Sequence, residues 1–147
     1  MDNHLLIDPV VAVIPDRSDE HHELRRMIRT PIFEKLGKQA QEGHVILMTA
    51  CLVEDSKWDT ALLQEHLDMA CRADVTIFWV NVYWTKAKLT NVRVLRDLLH
   101  EHHLIEPRKS DDGETTLVVE TLDVSGPVEL SVSRLISMIG FHSVQSM

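Results

Sequence analysis

Four short apolar runs punctuate the chain, separated by longer stretches of mixed polarity. They are Val10-Val11-Ala12-Val13-Ile14, Val45-Ile46-Leu47-Met48, Val75-Thr76-Ile77-Phe78-Trp79-Val80 and Leu117-Val118-Val119. Each is rich in β-branched residues, and none alternates with polar positions. That is the pattern of strands covered on both faces in a parallel sheet.

Between the runs, apolar positions recur at helical spacing. The spacing predicts a helix over 57–72, opened by Ser56-Lys57-Trp58-Asp59 as a capping-box-like start. Another is predicted over 91–103, with Val92, Leu95, Leu98 and Leu99 on one face. Residues 19–42 read as helix up to Thr30-Pro31, where an N-cap and first helical position start a second helix or a kink. Gly43 is the expected stop. A last helix opens at Gly126-Pro127 and closes at Gly140, with Val128, Val132, Leu135, Ile136 and Ile139 as its apolar face. Residues 106–114 form a polar turn region around Asp112-Gly113, and Leu104-Ile105 could pair with Leu117-Val118 as a hairpin.

This alternation predicts an α/β fold: a flavodoxin-like or Rossmann-like three-layer sandwich. Its parallel sheet would have four or five strands, in a single domain over 1–147. Ligands in such folds bind beyond the carboxyl ends of the strands. The expected functional edge therefore carries Asp16 and Arg17 after the first strand, and Thr49 to Trp58 after the second. Asn81, Tyr83, Trp84, Thr90, Asn91 and Arg93 follow the third. Asp74 falls at the opposite edge and reads as structural.

Composition narrows the functional classes. The net charge of −8 disfavours nonspecific binding to nucleic acid or to an anionic membrane. It leaves room for a small phosphorylated ligand held by local arginines. The longest apolar runs are far short of a membrane span, the start Met1-Asp2-Asn3-His4 is unlike a signal peptide, and a cytoplasmic location is expected. Cys51 and Cys71 fit no zinc or CxxC spacing and read as packing thiols. Five of the nine histidines cluster, at His21-His22 and at His100, His102 and His103, without the spacing that sets two metal ligands on one helix face. No metal or cofactor is expected. The GxGxxG, GxxxxGK[ST] and GxSxG patterns are absent from the sequence.

Several side chains have ligand-binding chemistry. Trp58 and Glu65 are seven apart and share a helix face, with His66 and Asp68 farther along. Trp79, Tyr83 and Trp84 are three of only seven aromatic residues, and read either as a wall for a planar ring or as core and loop packing. Thr90-Asn91 begins a helix whose free N–H groups favour an anion, with Arg93 adding charge; a plain N-cap is the other reading.

The stretch Leu67-Asp68-Met69-Ala70-Cys71-Arg72-Ala73-Asp74-Val75-Thr76-Ile77-Phe78-Trp79-Val80, followed by Thr90-Asn91-Val92, resembles the nucleoside 2-deoxyribosyltransferase-like family. The resemblance covers Trp58 to about Leu99. It implies a small flavodoxin-like fold, often dimeric, acting on the N-glycosidic bond of a deoxynucleoside or its monophosphate. In that family a Glu attacks the anomeric carbon, and a carboxylate suits the oxocarbenium-like centre that forms. Here Arg93 stands in the place of that Glu, and an arginine has no lone pair to offer. The first run also ends in Ile14-Pro15-Asp16-Arg17 rather than in a small-residue turn.

Three readings follow. The first is a glycosyl-bond hydrolase or transferase in which Glu65 replaces the missing carboxylate, assisted by Asp68 or Asp16. The second is a nucleoside- or nucleotide-binding protein that has lost catalysis. Arg17 and Arg93 would hold a phosphate there, and Trp84 would stack on a base. The third is a small homo-oligomeric interaction protein that uses the Arg25, Arg26 and Arg29 stripe as a partner surface. Asp16, Arg17, Trp58, Asn81, Tyr83, Trp84, Thr90, Asn91 and Arg93 are the predicted substrate-binding residues, with Glu65 and Asp68 as the predicted catalytic pair.

Overall fold

Ser18 and Ser56 each begin a helix in the same way, accepting from a backbone N–H three residues on: His21 N at 3.4 Å and Asp59 N at 3.2 Å. In the computed structural model, which describes residues 4–83, 103–107 and 117–140, these caps open helices α2 (Asp19–Gln41) and α3 (Lys57–Ala73). A short helix α1 (His4–Val11) precedes them. Strands β1 (Ile77–Tyr83) and β2 (Leu117–Asp123) and a helix α4 (Val128–Met138) follow. The protein is thus a mixed α/β chain. It divides into two compact units, Met1–Val75 with His102–Thr116, and Thr76–Glu101 with Leu117–Met147.

In the first unit, α2 packs on α3 and α1 packs on α2. The buried positions of α2 are His21, Arg29, Phe33 and Gly37, multiples of four apart. On α3 they are Leu62, Leu63, His66, Ala70 and Ala73. Three contacts set the direction. Arg29 bonds Glu65, the Phe33 ring lies edge-on to His66 at 4.8 Å, and a Cβ built on Gly37 would stand 3.4 Å from that of Ala73. The partners climb both helices together, so the helices run parallel. Residue 37 is where the two backbones approach, and a larger side chain there would have to displace Ala73 or Met69.

Both helices end in the same hydrogen-bond pattern. After α2, Gly43 N donates to Ala40 O and His44 N to Gln39 O; after α3, Asp74 N donates to Cys71 O and Val75 N to Ala70 O. Gly43 has φ +89° as this motif requires, whereas Asp74 takes the left-handed conformation at φ 50° with a side chain attached.

In the second unit, β1 and β2 pair in parallel, in register from Ile77 with Leu117 to Tyr83 with Asp123. Val124 N donates to Tyr83 O, and Asp123 accepts from Ser125 N at 2.8 Å, which turns the chain toward Pro127 and α4.

Several sequence expectations are corrected. Among the described residues the sheet has two strands, not four or five. The run 10–14 is not a strand: Val10 and Val11 end α1, and Val10 O accepts from Val13 N and Ile14 N. Only Val10 of the run is buried, and Val11 and Val13 are 42% and 70% exposed, so the run lacks the two-sided cover that a buried strand needs. The run 45–48 is a connection without regular structure, with Val45 and Leu47 61% and 66% exposed. Thr30-Pro31 does not start a helix. α2 runs through it, and Thr30 Oγ1 donates to Arg26 O at 2.9 Å from inside the helix. Leu104-Ile105 does not pair with Leu117. Leu104 bridges Val53, and Ile105 N donates to Leu52 O. The predicted helix over 91–103 lies almost wholly outside the described residues.

Candidate functional site

The i, i+4 stripe that α2 turns toward α3 runs His21, Arg25, Arg29, Phe33 and Gly37. Two arginines in such a stripe must find partners or bear the cost of lost solvation. Arg29 finds one. Its Nε and Nη2 donate to Glu65 Oε2 and Oε1 at 2.6 and 2.9 Å, with the two side chains 6% and 23% exposed. This is the bidentate geometry in which an arginine holds a carboxylate best. Arg26, one position off the stripe, reaches outward to Glu23 at 2.8 Å.

Arg25 has no such partner. Its Nε is buried without a hydrogen bond. Burial, and then the positive charge of Arg29, lowers its proton affinity. A buried cationic N–H with nothing to donate to is costly, and an incoming anion removes that cost.

Arg25 lines a cleft with about 30 Å³ of enclosed space, together with Arg26, Arg29, His22, Trp58 and Glu65. Asp59, Ala61 and Leu62 complete the wall. His22 and Trp58 form one side as a stacked pair, with ring centroids 4.6 Å apart and planes 9° from parallel. Lys57 Nζ lies 4.6 Å from the same Trp58 ring and 3.2 Å from Asp19. Arg17 makes its charge felt at both His22 and Arg25. Burial first, then Arg25, His21 and Arg17, keep His22 toward its neutral form, against the pull of Asp59.

The other two histidines of the helix pair are anchored. His21 Nδ1–H donates to Ile14 O at 2.8 Å, and His66 Nδ1–H to Leu62 O at 2.7 Å. Both are buried, and burial holds His66 below the usual histidine range. His66 therefore packs against Phe33 rather than facing a ligand. Among the described residues no group of three or more His, Cys, Asp or Glu could hold a metal ion. None of the described helices is long and apolar enough to cross a membrane.

Of the predicted site residues, Trp58 and Glu65 line one cleft, which α2 and α3 form within the first unit; Arg17 does not line it, and acts on it only through its charge. Asp16 sits in the preceding loop, where it accepts from Ser18 Oγ at 2.8 Å. Asp68 is exposed, accepts from Gln64 Nε2 at 2.7 Å and does not line the cleft. Asn81 and Tyr83 belong to the second unit. Asn81 accepts from Trp79 Nε1 at 3.0 Å, and Tyr83 is 46% exposed. Trp84, Thr90, Asn91 and Arg93 lie outside the described residues. Sequence reasoning did not place Arg25 or His22 at this cleft, and it offered the Arg25, Arg26 and Arg29 stripe as a partner surface in one of its three readings; Arg29 pairs with Glu65 within the chain. The spacing of His21, Arg25 and Arg29 with Phe33 and Gly37 was the available signal.

Compared with protein-family models, with curated proteins and with solved structures, the chain gives no match.

Proposed function

We propose that the first unit binds a small phosphorylated ligand of the nucleotide class and does not cleave its glycosidic bond. The observation that carries this reading is the buried, unpartnered Nε of Arg25 in a cleft shared with Arg26, Arg29 and the Trp58 ring. A phosphate oxygen satisfies that donor and offsets the repulsion among the arginines. The same geometry argues against Glu65 as a nucleophile. Both its oxygens already accept from Arg29, so attack on a sugar carbon would first have to break a buried ion pair. The nucleoside part of the assignment draws on the family resemblance and on the aromatic wall.

The test is thermal stabilisation by a panel of nucleoside monophosphates, with release of free base followed in parallel. A rise in melting temperature without base release is expected, since a ligand at a hundred times its Kd adds about 2.7 kcal/mol. An unchanged melting temperature across the panel, or steady base release, would sink the reading.

The alternative, a homo-oligomeric interaction protein, is favoured by one observation. Helix α4 has no buried residue, and Val128 and Val132 are 73% and 49% exposed. It requires a mass that rises with protein concentration in analytical ultracentrifugation. A constant monomer mass excludes it.

A further inference from the structure

His22 differs from its neighbours in how it is held. His21 and His66 each donate Nδ1–H to a backbone carbonyl. The His22 ring makes no such bond among the described residues; its contacts are with rings, parallel to Trp58 and edge-on to His21 at 5.3 Å. A half-exposed imidazole held in this way can rotate out at the cost of one stacking contact. Its centroid lies 4.6 Å from that of the indole, in the near-parallel stacked arrangement that a planar heterocycle would adopt there.

From these observations we infer that Trp58 is the base-stacking platform of the cleft, and that His22 covers it until the ligand's planar ring displaces it. This rests on the nucleotide reading above and deepens it, because it assigns the two parts of the ligand to two groups of residues. The phosphate goes to Arg25, and the ring goes to the indole. His22 lies one turn before Arg25 on α2 and Trp58 two turns before Glu65 on α3, and all four border one cleft. Displacement of a covering ring also implies selectivity. A flat aromatic group recovers the stacking contact that His22 gives up, and an aliphatic one does not.

The experiment compares the Kd of a purine nucleoside monophosphate with that of its sugar phosphate lacking the base, using the full chain and two variants. In the unaltered protein the nucleotide is expected to bind about tenfold tighter, the low end of what one stacked base contributes. In Trp58→Leu that ratio is expected to fall toward one. In His22→Ala it is expected to grow several-fold, because nothing needs to be displaced. Should Trp58→Leu fail to fold, the other two proteins carry the test. Equal affinity for both ligands in the unaltered protein, or a ratio that stays level or falls in His22→Ala, overturns the stacking inference while leaving the phosphate reading intact. Absence of binding by either ligand overturns both.

Discussion

Helix α2 is mostly polar in sequence yet buries four residues of one face, whereas α4 is cleanly amphipathic in sequence and buries none of its residues. In α2 the inward positions Arg29, Phe33 and Gly37 meet a bidentate carboxylate, an edge-on ring and a close backbone approach, while the Nε of Arg25 is left without a hydrogen bond. In α4 the apolar face meets β2 only lightly, and Ile136 stays 44% exposed. The contrast shows that periodicity locates a helix, while burial depends on whether the neighbouring element offers a partner for what that face carries.

The sharpest way to break the contrast is Glu65→Ala. It leaves Arg29 buried without its counter-charge and is expected to cost about 3–5 kcal/mol in chemical denaturation. Val132→Ser on α4 is expected to change stability by less than about 0.5 kcal/mol, as an exposed position should. If the two losses came out equal, the distinction between the helices would fall. Next in size, Gly37→Leu forces a branched side chain against Ala73 and Met69. An expected loss of about 1–3 kcal/mol follows from overpacking, and a neutral result would mean that α2 and α3 separate more easily than their contact implies.

Acid should act on the first unit through His66. Burial holds its folded-state proton affinity below that of the unfolded chain, so its stabilising contribution is present above about pH 6.5 and is lost as pH falls from there through the folded-state value. His22 is shifted in the same direction. The melting temperature of the protein is expected to drop between about pH 7.5 and about pH 5.5, and the drop is expected to shrink in His66→Leu. An identical drop in the variant would remove His66 from the account. The smallest effect is expected at the end of α3. Asp74→Gly relieves a left-handed backbone and should stabilise by up to about 1 kcal/mol, offset in part by the greater freedom of glycine in the unfolded chain.

What was legible in the sequence was mostly punctuation. The Ser56 start, the Gly43 and Gly140 stops and the Gly126-Pro127 opening all coincide with helix ends, because caps and left-handed turns depend on a few local residues. The parallel pairing of β1 and β2 was legible from unbroken apolar runs. The runs at 10–14 and 45–48 misled because β-branched apolar residues look alike in a strand, a helix end and an irregular connection. Only a distant partner decides among these, and local pattern does not contain it. The site divided in the same way. Glu65 and Trp58 stand out in the sequence by their chemistry and shared helix face, and both line the cleft between α2 and α3. Arg25 was missed because an arginine reads as solvated until the helix opposite is known.

The parallel course of α2 and α3 has a kinetic corollary. Arg29 with Glu65, and Gly37 with Ala73, each join positions 36 apart. No short turn can bring either pair together, so every contact between the two helices waits on the same long return of the chain through 42–56. Closing that loop once brings the whole ladder of contacts within reach, and the entropy lost grows only slowly with loop length. The helix pair should therefore assemble in one concerted step. Lengthening the exposed connection around Val45 and Leu47 should slow that step slightly and leave the packed pair unchanged.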